Sequence, residues 1–173
     1  MYDIDWLEEF EETDVLLDEK ATKTQAKKLL ENYKTIFYHA KFIQMPKMTP
    51  EYSLQPPSFK SEPSNPVEKA VRKKIIAQEQ LPFIIEGVDN MELQKSIPDG
   101  YYKRLLFLKY IDPRFFYESD YHVRCQLAKD FPNRVESKPN PYSVDEWIFY
   151  RDLDIALLGF AKKYKDGDLE VYA

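Results

Sequence analysis

The stretch RLLFLKYIDPRFFYESDYHVRCQLAKDFPNRVESKPNPYSVDEWIFYRDLDIALLGFAKKY, residues 104–164, decides the fold. Just before and within its first run, Tyr101, Leu105, Leu106, Leu108, Tyr110 and Ile111 recur at helical spacing and stop at Asp112-Pro113. A proline disfavours the helical region for the residue before it, so the helix ends there. A second helix begins near Ser119-Asp120 and carries Tyr121, Val123, Cys125, Leu127 and Ala128 to Phe131. Residues 132–141, PNRVESKPNP, form a polar connection. The last long helix runs from about Ser143 to Tyr164, with Ser143 as its cap and Glu146 at the capping-box position. Its apolar stripe is read as Trp147, Ile148, Tyr150, Ile155, Leu157, Leu158, Ala161 and Tyr164, with Gly167 as the stop. The reading is an all-α helical bundle of five or so helices with little or no sheet.

Working upstream, Thr24 opens another helix, whose face is Ala26, Leu29, Leu30, Tyr33, Ile36, Phe37, Ala40 and Ile43; Pro46 stops it. Lys20, Lys23, Lys27, Lys28, Lys34 and Lys41 lie largely off that face. They read either as a solvated surface or as contacts to a phosphate backbone. Residues 46–65 are a proline-rich linker containing Pro46, Pro50, Pro56, Pro57 and Pro63. Asn65 then resembles a helix cap, with Pro66 at the first helical position and Glu68 placed to reach back. This helix is expected to end or kink at Pro82, and residues 82–97, PFIIEGVDNMELQKSI, are expected to continue helical, with Gly87 and Asp89-Asn90 as weak points. Ser96 or Asp99 is expected to cap the helix that leads into residues 104–111. The expected layout is an arm over 1–19, a helix over 20–45, a linker over 46–65 and a helical domain over 66–173.

The 173 residues carry 25 Lys and Arg against 30 Asp and Glu, a formal net charge of -5. Nine of the acids lie in residues 1–19, uninterrupted by Lys or Arg. Without them the rest holds 25 basic against 21 acidic side chains, a formal +4. The arm is thus acidic and the body mildly basic. Trp6, Phe10 and Leu17 share a helical face in the arm. The arm reads as a frayed or packed helix, or as a peptide that docks on a partner or screens the basic body. Hydrophobic residues make up 43% of the chain, enough for a packed core. There is no basic leader followed by an apolar run and no membrane-length apolar stretch, so the expected place is the cytoplasm.

Four glycines leave little material for phosphate-cradling loops. Cys125 is the only cysteine, which excludes an internal disulfide and a thiolate metal cage. His122 and Cys125 are spaced as two ligands on one turn, but no second pair accompanies them. No nucleophile elbow and no phosphate-binding loop occurs. The expectation is a protein that is not an enzyme, needs no cofactor and no metal, and acts by binding.

The order of segments resembles the ArpU family of phage late-operon transcriptional regulators. The residues that carry the resemblance are Pro46-Lys47-Met48-Thr49-Pro50-Glu51-Tyr52-Ser53, then NPVEKAV at 65–71, RLLFLKYID at 104–112, SDYHVRCQL at 119–127, FYRDLDIALLGFAKKY at 149–164 and LEVY at 169–172. The resemblance implies a C-terminal helix-turn-helix, over about 101–165, like the fourth region of sigma factors. Residues 120–131 would be its first helix and 143–164 would contain the recognition helix. It implies a double-stranded DNA partner at a promoter region and activation of late genes. The DNA-contacting candidates are Arg151, Arg134, Lys138, Tyr150, Ser143, Lys28 and Lys34. Arg151 is placed to grip a base edge, and Arg134 and Lys138 to grip phosphates. Two features depart from the family pattern: the turn at 132–141 is longer, and Asp152, Leu153 and Asp154 stand where basic or aromatic residues are usual. The alternative reading is a non-catalytic phage protein-interaction module on the same scaffold, with bacterial RNA polymerase as a candidate partner.

Overall fold

The computed structural model describes residues 16–42, 66–91, 100–132 and 142–172. Five α-helices pack into one core, and among the described residues the only strand-like pairing is an isolated antiparallel bridge between Leu17 and Tyr172. The all-α expectation holds. The helices are α1 (Glu19–Lys41), α2 (Pro66–Asp89), α3 (Tyr101–Leu106), α4 (Asp120–Asp130) and α5 (Glu146–Lys163). No helix among the described residues is long and apolar enough to cross a membrane.

α1 begins earlier than Thr24. Asp18 is its cap and accepts a hydrogen bond from the Ala21 amide at 2.9 Å, satisfying one of the donors a helix start leaves open. The Thr24 hydroxyl instead donates to the Lys20 carbonyl at 2.8 Å, one turn back, as a Ser or Thr inside a helix does. The expected apolar face is the one that packs: Ala26, Leu30, Tyr33 and Ala40 are buried, with Leu29, Ile36 and Phe37 partly so. Ile43 lies outside the described residues.

α2 does not end at Pro82 but continues helical to Asp89, as read for the residues after the proline. The proline deprives the Gln78 carbonyl of its helical donor, but Pro82 is exposed and water can serve that carbonyl. Gly87, which weakened the sequence reading, has a packing reason to be there. A Cβ at this position would meet the Phe160 ring at 3.0 Å and the Tyr164 backbone at 3.4 Å, so glycine lets α2 lie close on the end of α5.

α3 follows Gly100, whose φ of 86° is the left-handed conformation that favours glycine; Ser96 and Asp99 lie outside the described residues. All but two of its six residues are buried: Tyr101, Tyr102, Leu105 and Leu106. The helix then widens into a π turn, Phe107–Ile111, closed by the Asp112 amide on the Phe107 carbonyl at 2.8 Å. The sequence read this as one regular helix. Asp112-Pro113 ends it as expected, and the Asp112 carboxylate caps the short 3-10 turn Pro113–Phe115.

α5 is the central helix, in contact with α1, α2 and α3. Its core residues are Phe149, Leu153, Ala156, Leu157, Phe160 and Ala161. At its C-terminal end Lys165, Asp166 and Gly167 all have positive φ and turn the chain back. The returning segment clasps the start of α1. The Asp18 amide donates to the Val171 carbonyl at 2.7 Å, and the Val171 amide donates to the buried Thr22 hydroxyl at 2.9 Å.

Candidate functional site: the outward face of α4 and α5

The start of α5 differs from expectation in register and in cap. Ser143 is buried and does not cap the helix; Asp145 does, accepting from the Trp147 amide at 3.0 Å. The segment SVDEW offers two cap-forming residues two positions apart, and pattern alone does not choose between them. The two-residue shift accompanies a rotation of the apolar stripe. Trp147 and Tyr150, both read as part of the apolar stripe, are 67% and 45% exposed. Phe149 takes the interior position between them.

The first two turns of α5 therefore show Glu146, Trp147, Tyr150, Arg151 and Asp154 to solvent. Arg151 stacks over the Trp147 ring at 5.0 Å from its centroid and donates to Asp152 Oδ1 at 3.0 Å. Asp152 is fully buried, so the carboxylate does not stand on the outer face, and the neighbouring guanidinium supplies the counter-charge that a buried acid requires. Asp154 is on the outer face and is held by the Lys23 ammonium of α1 at 2.7 Å.

α4 is fixed to this face at three points. The Val144 amide donates to the Arg124 carbonyl at 3.3 Å, and the Arg124 guanidinium returns the bond to the Val144 carbonyl at 2.7 Å. Arg124 also reaches Glu146 at 3.4 Å. The Tyr150 hydroxyl donates to Asp120 at 2.9 Å, and Lys109 of the π turn pairs with the same carboxylate at 2.6 Å. Burial alone would raise the Asp120 carboxyl. The Lys109 ammonium, the Tyr150 hydroxyl and the Arg124 charge outweigh it, and the group lies below the ordinary aspartate range. The hydrogen bond to Asp120, and then the charge of that carboxylate, push the Tyr150 hydroxyl up.

A cavity of about 490 Å³ lies behind this network, between α1, the π turn and the start of α5. Lys34, Lys109, Tyr110, Asp120 and Tyr150 all border it. Tyr110 is buried, its hydroxyl has no hydrogen-bond partner among the described residues, and burial, with Glu31 and Asp120 adding, pushes its pKa up.

Of the residues proposed from the sequence, Arg151 and Tyr150 share one face. Lys34 borders the cavity behind it, with its ammonium 3.2 Å from the centre of the Tyr117 ring. Lys28 is exposed on α1 and does not border that cavity. Ser143 is beneath the surface, and Arg134 and Lys138 lie outside the described residues. Sequence reasoning missed the Arg124 clasp and the triad of Lys109, Asp120 and Tyr150. Their members stand on three different helical segments, and no spacing along the chain announces such a meeting. His122 engages Glu118 at 2.8 Å, one turn back. Among the described residues no group of three or more His, Cys, Asp or Glu is gathered as metal ligands would be.

Comparison of the chain with family models, curated proteins and solved structures finds no match.

Proposed function

We propose that this chain is a phage or prophage transcriptional regulator that binds promoter DNA through α4 and α5 and activates late genes. The observation that carries the reading is the division of α5. One side, from Phe149 and Asp152 to Phe160 and Ala161, is buried along the whole helix, while the other side of its first two turns leaves Trp147, Tyr150 and Arg151 uncovered. A two-helix DNA reader needs this division, because the second helix must be anchored in the body and offer its N-terminal residues to the major groove. The clasp between Arg124 and Val144 fixes the angle at which those residues are offered. The ordered motifs resembling the ArpU family support the same reading. Arg151 is the base-edge candidate, because a guanidinium pairs with guanine in bidentate fashion. Its bond to Asp152 holds the side chain ordered before DNA arrives.

A second reading, a protein-interaction module with a surface such as that of RNA polymerase as partner, draws on a different observation. The outward face of α5 carries Glu146 and Asp154 beside its aromatics and Arg151, and its charges already have partners within the chain. Exposed Trp, Tyr and Arg with few free cations are also the composition of a protein-binding hot spot. Binding the full chain to a pool of genomic duplex fragments, followed by sequencing, separates the two. The DNA reading expects recovery of a common sequence, weakened as salt rises. A pool returned without enrichment at low salt overturns it in favour of the second.

A further inference from the structure

α2 is built as two unlike halves. Residues 66–76 contain no buried side chain, and the buried positions Ala77, Ile84, Gly87 and Val88 all fall beyond them. α1 ends beside the middle of α2, where the Gln78 amide donates to the Ala40 carbonyl at 3.4 Å. Both halves nevertheless leave large apolar side chains uncovered: Val71 and Ile75 in the first, Phe83 and Ile85 in the second. Val71, Ile75, Gln78, Pro82 and Ile85 follow one another at steps of four and three, the spacing of the seam along which one helix packs on another.

The charges are divided the same way. Beyond Glu68 in the first turn, the first half carries Lys69, Arg72, Lys73 and Lys74, and the second carries Glu79, Glu86 and Asp89. None of these side chains pairs with another described residue. This order opposes the helix dipole, whose positive end is the N-terminus. Both the seam and the charges are self-complementary when reversed. About a centre at Gln78, Val71 meets the Ile85 of a second copy and Ile75 meets its Pro82. Arg72 and Glu86, about four turns apart on one flank of the seam, meet each other's counterparts.

We infer that α2 is the surface on which two copies of this chain associate, antiparallel, about a two-fold axis near Gln78. Each basic half lies on the partner's acidic half, and the exposed aliphatic side chains close a common seam. A nucleic acid would suit the basic half alone and would set the acidic half against phosphates, whereas the apolar seam spans both halves. The inference does not depend on the DNA reading.

Sedimentation of the full chain over a range of concentrations tests it. The expected result is a reversible species of twice the 20.6 kDa chain mass. Ile75 is 51% exposed, so Ile75→Glu leaves the helical circular dichroism unchanged, and it weakens self-association on the order of thirtyfold. Arg72→Glu and Glu86→Arg each weaken association, and the two together restore it, because each copy supplies both partners. A wild-type chain that stays monomeric at every concentration overturns the inference and leaves the basic half to a phosphate-bearing partner. An Ile75→Glu dimer as tight as wild type, or a double reversal no tighter than the single ones, overturns it as well.

Discussion

Along α5, Trp147, Tyr150 and Arg151 face outward, whereas Phe149, Leu153, Ala156, Leu157, Phe160 and Ala161 are buried. The front of the helix is held by polar bonds to α4, through Arg124 and Asp120. The rear is held by apolar packing, with Gly87 of α2 against Phe160. The contrast separates two requirements within one helix. Changes to the buried side chains, Phe149 in the front included, act on folding, and changes to the outward side chains of the front act on what it displays. A substitution with the wrong effect for its region breaks the comparison.

The largest effect is expected at Phe149. This ring is fully buried, and Phe149→Ala removes both its transfer energy and the fill of its site, a cost of about 3–5 kcal/mol in chemical denaturation. Trp147→Ala, two positions earlier, is expected to change stability by no more than about 0.5 kcal/mol, since the indole is 67% exposed. Equal losses at the two positions would mean that the front of α5 is not a displayed surface.

Next is Arg151→Ala. On a selected operator the expected loss is roughly 1–3 kcal/mol, with little change on scrambled DNA. Fluorescence anisotropy on both duplexes measures the difference. Wild-type affinity on the operator, with the fold intact, moves the function to the protein-interaction reading.

How much of this was legible in the sequence follows from the same contrast. The rear of α5, the α1 face and the boundaries at Asp112-Pro113 and Ser119-Asp120 rest on spacing, prolines and caps, which act locally and so can be read along the chain. The front of α5 could not be oriented that way. Trp147, Ile148, Phe149 and Tyr150 are consecutive large residues, so every direction around the helix is apolar there. The buried side includes Asp152, with Arg151 beside it, and a buried acid runs against any hydrophobic pattern. The π turn at Phe107–Ile111 and the meeting of Lys109, Asp120 and Tyr150 depend on tertiary packing and leave no local mark.

The cap at Asp112 tests the polar support behind the front. Its carboxylate accepts from the Arg114 amide at 3.0 Å and from the Arg114 guanidinium at 2.6 Å, and the guanidinium bond is the main reason the carboxyl lies below the ordinary aspartate range. Asp112→Asn keeps the shape and the cap but loses the charge, for an expected cost below the roughly 0.5–2 kcal/mol of removing a cap outright. Because the folded-state pKa is depressed, the contribution is present above the ordinary aspartate pKa and is lost as pH falls through that value and below it. Asp120 is shifted the same way and adds to the fall. Urea midpoints measured from neutral to acid pH should decline for the wild type and more shallowly for Asp112→Asn. Parallel curves would show that the carboxylate charge does not support this turn.

The smallest effect concerns Asp154, where the two regions touch through α1. Its carboxylate is more than half exposed, and its partner Lys23 is also partly in solvent, so the pair contributes about 0.2–1 kcal/mol and is screened by salt. Asp154→Asn should therefore leave the fold nearly unchanged. It should matter more to DNA, because it removes a negative charge one turn beyond Arg151 and frees the Lys23 ammonium on the neighbouring helix. Both changes favour a phosphate backbone approaching the front of α5, so non-specific affinity at low salt should rise and its dependence on salt steepen. Lys23→Met serves as the control: it breaks the same pair with a similar small loss of stability, yet it removes a cation and should lower affinity. If both variants bind random duplex as the wild type does, the front of α5 does not lie against phosphate, and the acids there serve a protein partner.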